Sequence, residues 1–247
     1  MQLKKRLNHG FQMQGSYTWS KSIDDATAGP GNTNYPTEGS SSQMWGTKAD
    51  RGLGALNQKH NLTMNGIWTL PAPRGSRLAS SVLGGWELSG IFTAVAGTPF
   101  TATETGTNVQ DNGKVGGSSR LRMPDWTGKG AFSSIIHSRN PDQYFDTSNF
   151  VVPPTGIYGN LGRGTFIGPG VVNVDITLGK SIPLGLKEGT RLDFRSDFFN
   201  LFNRANFADP LSAVLNGSNG APIGTAGKIT RTVTSSRQLQ FSLKLVF

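Results

Sequence analysis

The sequence predicts an all-β protein: an antiparallel, up-and-down portion of a transmembrane β-barrel, with long extracellular loops and short periplasmic turns. Three observations predict it. Apolar and polar residues alternate with a period of two over segments close to the roughly 9–11 residues that a tilted strand needs to cross a bilayer. The connections between these segments alternate between short and long. The composition is thin in apolar side chains, at 35%, but rich in turn formers, with 33 Gly and 13 Pro among 247 residues. That suits many strands and polar loops better than a large soluble core.

Taken in order, the strands announce themselves by their faces. Phe11, Met13, Gly15, Tyr17 and Trp19 alternate with Gln12, Gln14, Ser16, Thr18 and Ser20. Leu62, Met64, Gly66, Trp68 and Leu70 alternate with Asn61, Thr63, Asn65, Ile67 and Thr69. Trp86, Leu88, Gly90, Phe92 and Ala94 stand against Glu87, Ser89, Ile91 and Thr93. Further along, Val172, Val174, Ile176 and Leu178 alternate with Asn173, Asp175 and Thr177. Leu192, Phe194, Ser196 and Phe198 do so with Asp193, Arg195 and Asp197. The last segment sets Leu239, Phe241, Leu243, Leu245 and Phe247 against Gln238, Gln240, Ser242 and Lys244. Six full strands are expected, with Gln2–Arg6 as the tail of a seventh. Successive side chains of a strand point to opposite faces, so each segment has one face for lipid and one for water.

The connections separate a membrane barrel from a soluble sandwich. Asn8 to Gly10, the Pro73–Gly85 region and Gly185–Thr190 are short or moderate, whereas 22–59, 98–170 and 203–236 are long and rich in Gly, Ser, Thr and Asn. Membrane barrels place short turns on the periplasmic side and long loops outside, and loops beyond about 15 residues are uncommon in compact soluble domains. The same parity puts Phe247 at the periplasmic interface, where an aromatic ring serves as an anchor. A closed single-chain barrel needs about eight strands or more. Unpaired edges in lipid are costly, so further strands are expected to complete the wall. Phe11, Tyr17, Trp68, Trp86, Phe92, Phe194, Phe198, Leu243 and Leu245 are expected on one convex, exposed face. Gln12, Thr63, Glu87, Asp175, Arg195 and Gln240 are expected on the concave face.

Several other chemistries find no pattern to support them. The net charge of +9 is scattered, its densest run being Lys4-Lys5-Arg6, so no nucleic-acid partner is expected. There is no cysteine, hence no disulfide framework or thiolate metal site. The N-terminal ten residues hold no apolar stretch of a signal peptide, and no run approaches the ~20 apolar residues of a membrane helix. An export signal is therefore expected in a longer parent protein. His9, His60 and His137 are isolated, without metal-ligand spacing, and no cofactor is expected. Asp193, Arg195 and Asp197 share a strand face, which points to ion pairing along a wet lumen. No nucleophile or histidine lies near them in sequence, and no enzyme is expected. Gly159-Asn160-Leu161-Gly162-Arg163-Gly164 lacks the Gly-Lys-Ser/Thr ending of a phosphate loop. It reads as a turn-rich return into the strand starting near Val171.

Five stretches carry a resemblance. They are Gln14-Gly15-Ser16-Tyr17-Thr18-Trp19-Ser20-Lys21-Ser22-Ile23-Asp24, Gly85-Trp86-Glu87-Leu88-Ser89-Gly90-Ile91-Phe92, Gly97-Thr98-Pro99-Phe100, Gly159-Asn160-Leu161-Gly162-Arg163, and Phe198-Phe199-Asn200-Leu201-Phe202-Asn203-Arg204-Ala205-Asn206-Phe207. In this order, and with the terminal strand, they resemble the C-terminal third of the barrel in TonB-dependent receptors, specifically the Oar-like branch. The resemblance implies that residues 1–247 are one C-terminal segment of a receptor barrel in the cell outer membrane. It implies part in the uptake of a large substrate such as a carbohydrate or peptide. The implied partners are outer-membrane lipid, the rest of the receptor barrel with its plug, and the TonB energising complex. The signal peptide, TonB box, plug and Ig-like N-terminal domain of that family are missing from the sequence, so the TonB contact is expected in an N-terminal part.

Within the long loops, Tyr35, Trp45, Trp126, Tyr144 and Arg163 are the candidate substrate-contact residues. Aromatic and polar side chains on outer loops bind sugars and peptides, but they also pack loops together, and the sequence leaves both roles open. Two other readings stand beside the receptor: an oligomeric porin-like or adhesin barrel, and a secreted β-rich carbohydrate-binding module.

Overall fold

The computed structural model describes residues 1–8, 10–24, 51–71, 82–105, 123–129, 131–154, 159–185 and 189–247. In chain order its strands are β1 (Gln2–Asn8), β2 (Phe11–Trp19), β3 (Ile23–Asp24), β4 (Gly52–Leu53), β5 (His60–Thr69), β6 (Trp86–Val95), β7 (Pro99–Phe100), β8 (Thr103–Thr105), β9 (Asp125–Trp126), β10 (Phe150–Val151), β11 (Phe166–Ile167), β12 (Val171–Pro183), β13 (Arg191–Phe199), β14 (Ala213–Asn216) and β15 (Gln238–Val246). Among the described residues, helix is confined to residues 82–83 and a 3-10 turn at Phe132–Ile135.

The long strands form one seven-stranded sheet in the order β1-β2-β5-β6-β12-β13-β15. Every neighbouring pair is antiparallel. Each expected segment became a strand, with ends shifted by one or two residues in most cases. β12 ran furthest beyond expectation, to Pro183. Register is set by the alternation, because a one-residue slip would turn a whole strand's apolar set to the other side. Thus Phe11 lies opposite Trp68, Trp68 opposite Leu88, and Leu88 opposite Leu178. On the far side of the sheet Phe194 is opposite Leu243 and Phe198 opposite Leu239. All nine residues assigned to the apolar face share it. Leu243, 66% exposed, is the barest of them, while Phe11, Trp86, Phe92, Phe194 and Phe198 are half-covered by neighbours on the same face. The rings of Trp86 and Phe194, for instance, lie nearly perpendicular with their centroids 6.3 Å apart.

The hydrophobic core lies elsewhere. It consists of Phe100, Ala102, Met123, Ile135, Tyr144, Phe145, Phe150, Leu161, Phe166, Val214, Leu215 and Ala226, none of which belongs to the seven-stranded sheet. The long connections were expected as loops. They carry their own short ladders, β3 with β4, β7 with β11, β9 with β10 and, in parallel, β8 with β14. Their apolar residues collapse on one another because the sheet's apolar face is not turned toward them.

Candidate functional site

One face of the sheet is a polar wall. Arg195 Nε donates to Asp197 at 2.9 Å, and the Thr177 hydroxyl donates to the same carboxylate at 2.5 Å from the neighbouring strand. One turn of the pleat away, Arg191 Nε donates to Asp193 at 3.1 Å and the Ser181 hydroxyl donates at 2.6 Å. Lys244 lies opposite Asp193 in the register. The acids of the wall are thus held by cations and hydroxyls, an arrangement that keeps charges satisfied beside water. It is the ion pairing that alternation alone pointed to.

Where β13 leaves the sheet, asparagines build the junction. Asn200 takes the left-handed conformation at φ 50°, which Asn tolerates better than most residues. Its backbone N–H donates to Asp175 Oδ1 at 2.8 Å. Its side-chain amide donates to the carbonyls of Arg204 and Ser235 at 3.0 and 2.9 Å and accepts from the Arg204 N–H at 2.9 Å. Asn203, at φ 49°, accepts the Arg237 N–H at 2.9 Å. Asn206, almost wholly buried, accepts the Val172 N–H and donates to the Thr234 hydroxyl. The Asn200–Phe207 motif is therefore a clamp that ties the end of β13 to β12 and to the segment entering β15.

The outer loops meet in an aromatic cluster. Phe166 packs against Phe100 and Phe145 at 5.5 and 5.8 Å between ring centroids. Phe150 joins it to Trp126, whose ring is 5.5 Å from Phe150 and 5.1 Å from Phe132. Tyr144 is 3% exposed and 6.4 Å from Phe100. Its hydroxyl donates to the Ile167 carbonyl at 3.0 Å. Burial, helped by the negative charge of Asp209, pushes its pKa up to about 12.

Arg163 is also buried, and its guanidinium pairs with the Asp24 carboxylate and backbone carbonyl, locking the first long loop to the second. The glycines around it are needed for close approach. A Cβ on Gly159 would stand 1.9 Å from the Met123 carbonyl, and Gly164 adopts φ +62° with the Leu53 carbonyl 2.6 Å from where its Cβ would be. Asn160 completes the lock by accepting the Trp126 N–H at 2.7 Å and donating its own N–H to Asp125 at 2.8 Å. The stretch is the turn-rich return expected of it.

Of the candidate contact residues, the structure thus brings Trp126, Tyr144 and Arg163 into one packed loop body. Trp126 is half-buried; Tyr144 and Arg163 are buried, the tyrosine hydroxyl bonded to the Ile167 carbonyl and the guanidinium Nη2 to Asp24. Tyr35 and Trp45 lie outside the described residues.

A family model described as an outer membrane beta barrel domain matches residues 1–240. The chain belongs to that family. It is an outer-membrane protein whose apolar sheet face meets lipid and whose polar face is the inner wall. No helix among the described residues is long and apolar enough to cross a membrane; crossing is the work of the strands. Comparison with curated proteins gave no match. Comparison with solved structures gave none either.

With lipid on the apolar face, one residue missed by sequence reasoning gains a role. Lys180 breaks the alternation of β12 and lies between Trp86 and Phe194 in the register of the lipid face. Its ammonium sits 5.0 Å above the centroid of Trp86 and donates to the Val82 carbonyl. Its stem covers apolar surface while the charge reaches the end of the strand, which is how lysine is tolerated at a membrane boundary. The signal was there as a lysine in an apolar register, but its meaning depended on Trp86, a distant residue in the chain.

Proposed function

We propose that this barrel segment is the C-terminal part of a TonB-dependent receptor of the Oar-like branch, taking part in the uptake of a large substrate such as a carbohydrate or peptide. The observation that carries the reading is the ordered set of five motifs. Four of them, the Gln14–Asp24, Gly97–Phe100, Gly159–Arg163 and Phe198–Phe207 stretches, build the outward strand ends and the packed loop body that they feed. A receptor needs a preorganised outer surface to hold its ligand, whereas a general pore does not. The charged inner wall, with Asp175, Asp193, Arg195 and Asp197, supplies hydrogen-bonding groups that a plug domain can meet. The remaining strands, the plug and the TonB contact come from the rest of the receptor. Ligand contact falls to exposed loop side chains and to Trp126 at the half-buried edge, with Tyr144 and Arg163 holding the loops in place. Catalysis forms no part of the proposal.

The test uses the natural full-length protein reconstituted in a planar bilayer, together with a pull-down on the periplasmic domain of TonB. A plugged receptor gives no steady ion conductance and is retained by TonB. A steady conductance with no TonB retention would replace this reading with a porin-like barrel.

A further inference from the structure

The inner face of the sheet divides by charge. On β12, β13 and β15 it carries Asp175, Arg191, Asp193, Arg195, Asp197 and Lys244. On β2, β5 and β6 Glu87, at the periplasmic end, is its one charged residue among the described residues. Register sets the residues of this uncharged half in rows about 6.7 Å apart along the strands. In one row Gln14 lies opposite Asn65, and Asn65 opposite Ile91. In the next row toward the periplasm Gln12 lies opposite Ile67. Two rows outward from Asn65, Asn61 stands opposite Thr18.

The two halves also differ in what their polar groups already hold. The acids of the charged half are engaged: Asp193 by Ser181 and Arg191, Asp197 by Thr177 and Arg195, and Asp175 by Asn173 and the Asn200 N–H. The side-chain amides of Gln12, Gln14, Asn61 and Asn65 form no hydrogen bond among the described residues. Gln12 and Asn65 are exposed, Gln14 and Asn61 half-buried. Beside them Ile67 and Ile91, diagonal neighbours in the register, are 44% and 51% exposed on a face that meets water. Each free amide offers donors and an acceptor without charge. A charged ligand would find no ionic partner among them. A chain of sugar rings matches both features. Its hydroxyls donate and accept, and its C–H faces cover aliphatic side chains from water. Amides recurring along the strands let one hydrogen bond be exchanged for the next as the chain moves, with no charge to desolvate.

We propose that the inner face of β2, β5 and β6 is a lane that binds and passes an uncharged carbohydrate chain, whose hydroxyls meet Gln12, Gln14, Asn61 and Asn65 and whose C–H faces rest on Ile67 and Ile91. The proposal rests on the uptake reading and selects the carbohydrate from its two substrate classes.

The test follows retention of three labelled glucans on one backbone by the natural full-length protein in nonionic detergent: neutral dextran, anionic carboxymethyl-dextran and cationic diethylaminoethyl-dextran. The expected result is that dextran is retained best and that salt leaves its retention unchanged. The combined Gln14→Met and Asn65→Leu protein keeps side-chain volume but lacks both amides, and should lose about tenfold in affinity, the worth of two neutral hydrogen bonds. Gln240→Met, which removes an amide opposite Asp197 in the charged half, should keep it. Heat modifiability reports the folding of each variant. No retention of dextran, stronger retention of either charged form, or undiminished retention by the folded double variant overturns the proposal. If the double variant does not fold, Gln12→Met and Asn61→Leu take its place under the same criterion. A steady ion conductance opened by the double variant in a planar bilayer also overturns it, by showing that the amides hold a plug. The conductance and TonB retention of the native protein judge the uptake reading separately, so the two failures are distinguishable.

Discussion

Placing arginine at Leu243 tests the lipid face where it is barest. Leu243 lies near the middle of β15, opposite Phe194, and is 66% exposed. An arginine on the lipid face near the bilayer midplane costs about 2–4 kcal/mol. That is roughly a 30-fold to nearly 1,000-fold shift of the folding equilibrium at 1.36 kcal/mol per decade. The control needs a residue on the same strand facing the inner wall. Ser242 lies opposite Arg195, where a new arginine would face a like charge, so Gln240, opposite Asp197, is the better position. There an added cation beside a carboxylate changes stability by no more than about 1 kcal/mol. The assay is the heat-modifiable folded fraction of Leu243→Arg and Gln240→Arg in outer-membrane preparations, followed by urea titration in lipid. Leu243→Arg should lose folded protein and Gln240→Arg should not. Equal folding of the two, or the reverse order, would refute the assignment of faces and the membrane orientation built on it.

Other positions test other parts of the chain. Phe166→Ala removes a ring, 1% exposed, from the centre of the loop cluster and should cost about 3–5 kcal/mol of loop stability. Outer loops should become protease-sensitive while the sheet stays heat-modifiable. Asn200→Ala combines left-handed strain with the loss of its amide bonds and should cost about 2–4 kcal/mol in urea titration. Asn200→Gly, which relieves only the strain, should recover a minor part. Tyr144 is held protonated by burial, with a folded pKa about 12 against 10 when free. Its contribution is complete below pH 10 and is lost as pH rises toward 12, because the unfolded chain ionises first. Tyr144→Phe should lose about 1 kcal/mol from the hydroxyl bond to Ile167 and flatten that alkaline loss in limited proteolysis.

The strands were legible because their signal is local. A period of two in Phe11–Trp19 or Gln238–Val246 needs no knowledge of any other segment, and the same alternation fixes register once strands pair. The charged row on β13 was legible for the same reason, since residues two apart share a face wherever the strand lies. The outer loops carry no period. Asp24 and Arg163 stand 139 positions apart in the chain, and Phe100, Phe145 and Phe166 come from separate short segments of one long connection, so the sequence could offer Tyr144 and Arg163 equally for ligand contact or for packing. Only the tertiary structure shows that both are buried. The Asn200–Phe207 stretch announced a strand exit, yet its clamp depends on Asp175, Val172, Thr234 and Arg237, which tertiary structure brings to it. Lys180 broke a local rule in plain sight, and the ring of Trp86 beneath its ammonium supplied the reason. Alternation thus determined which residues meet lipid and which meet water, because each strand decides that for itself. Where the long connections place their aromatic and charged side chains was decided by tertiary packing, because those side chains find their partners only across the fold.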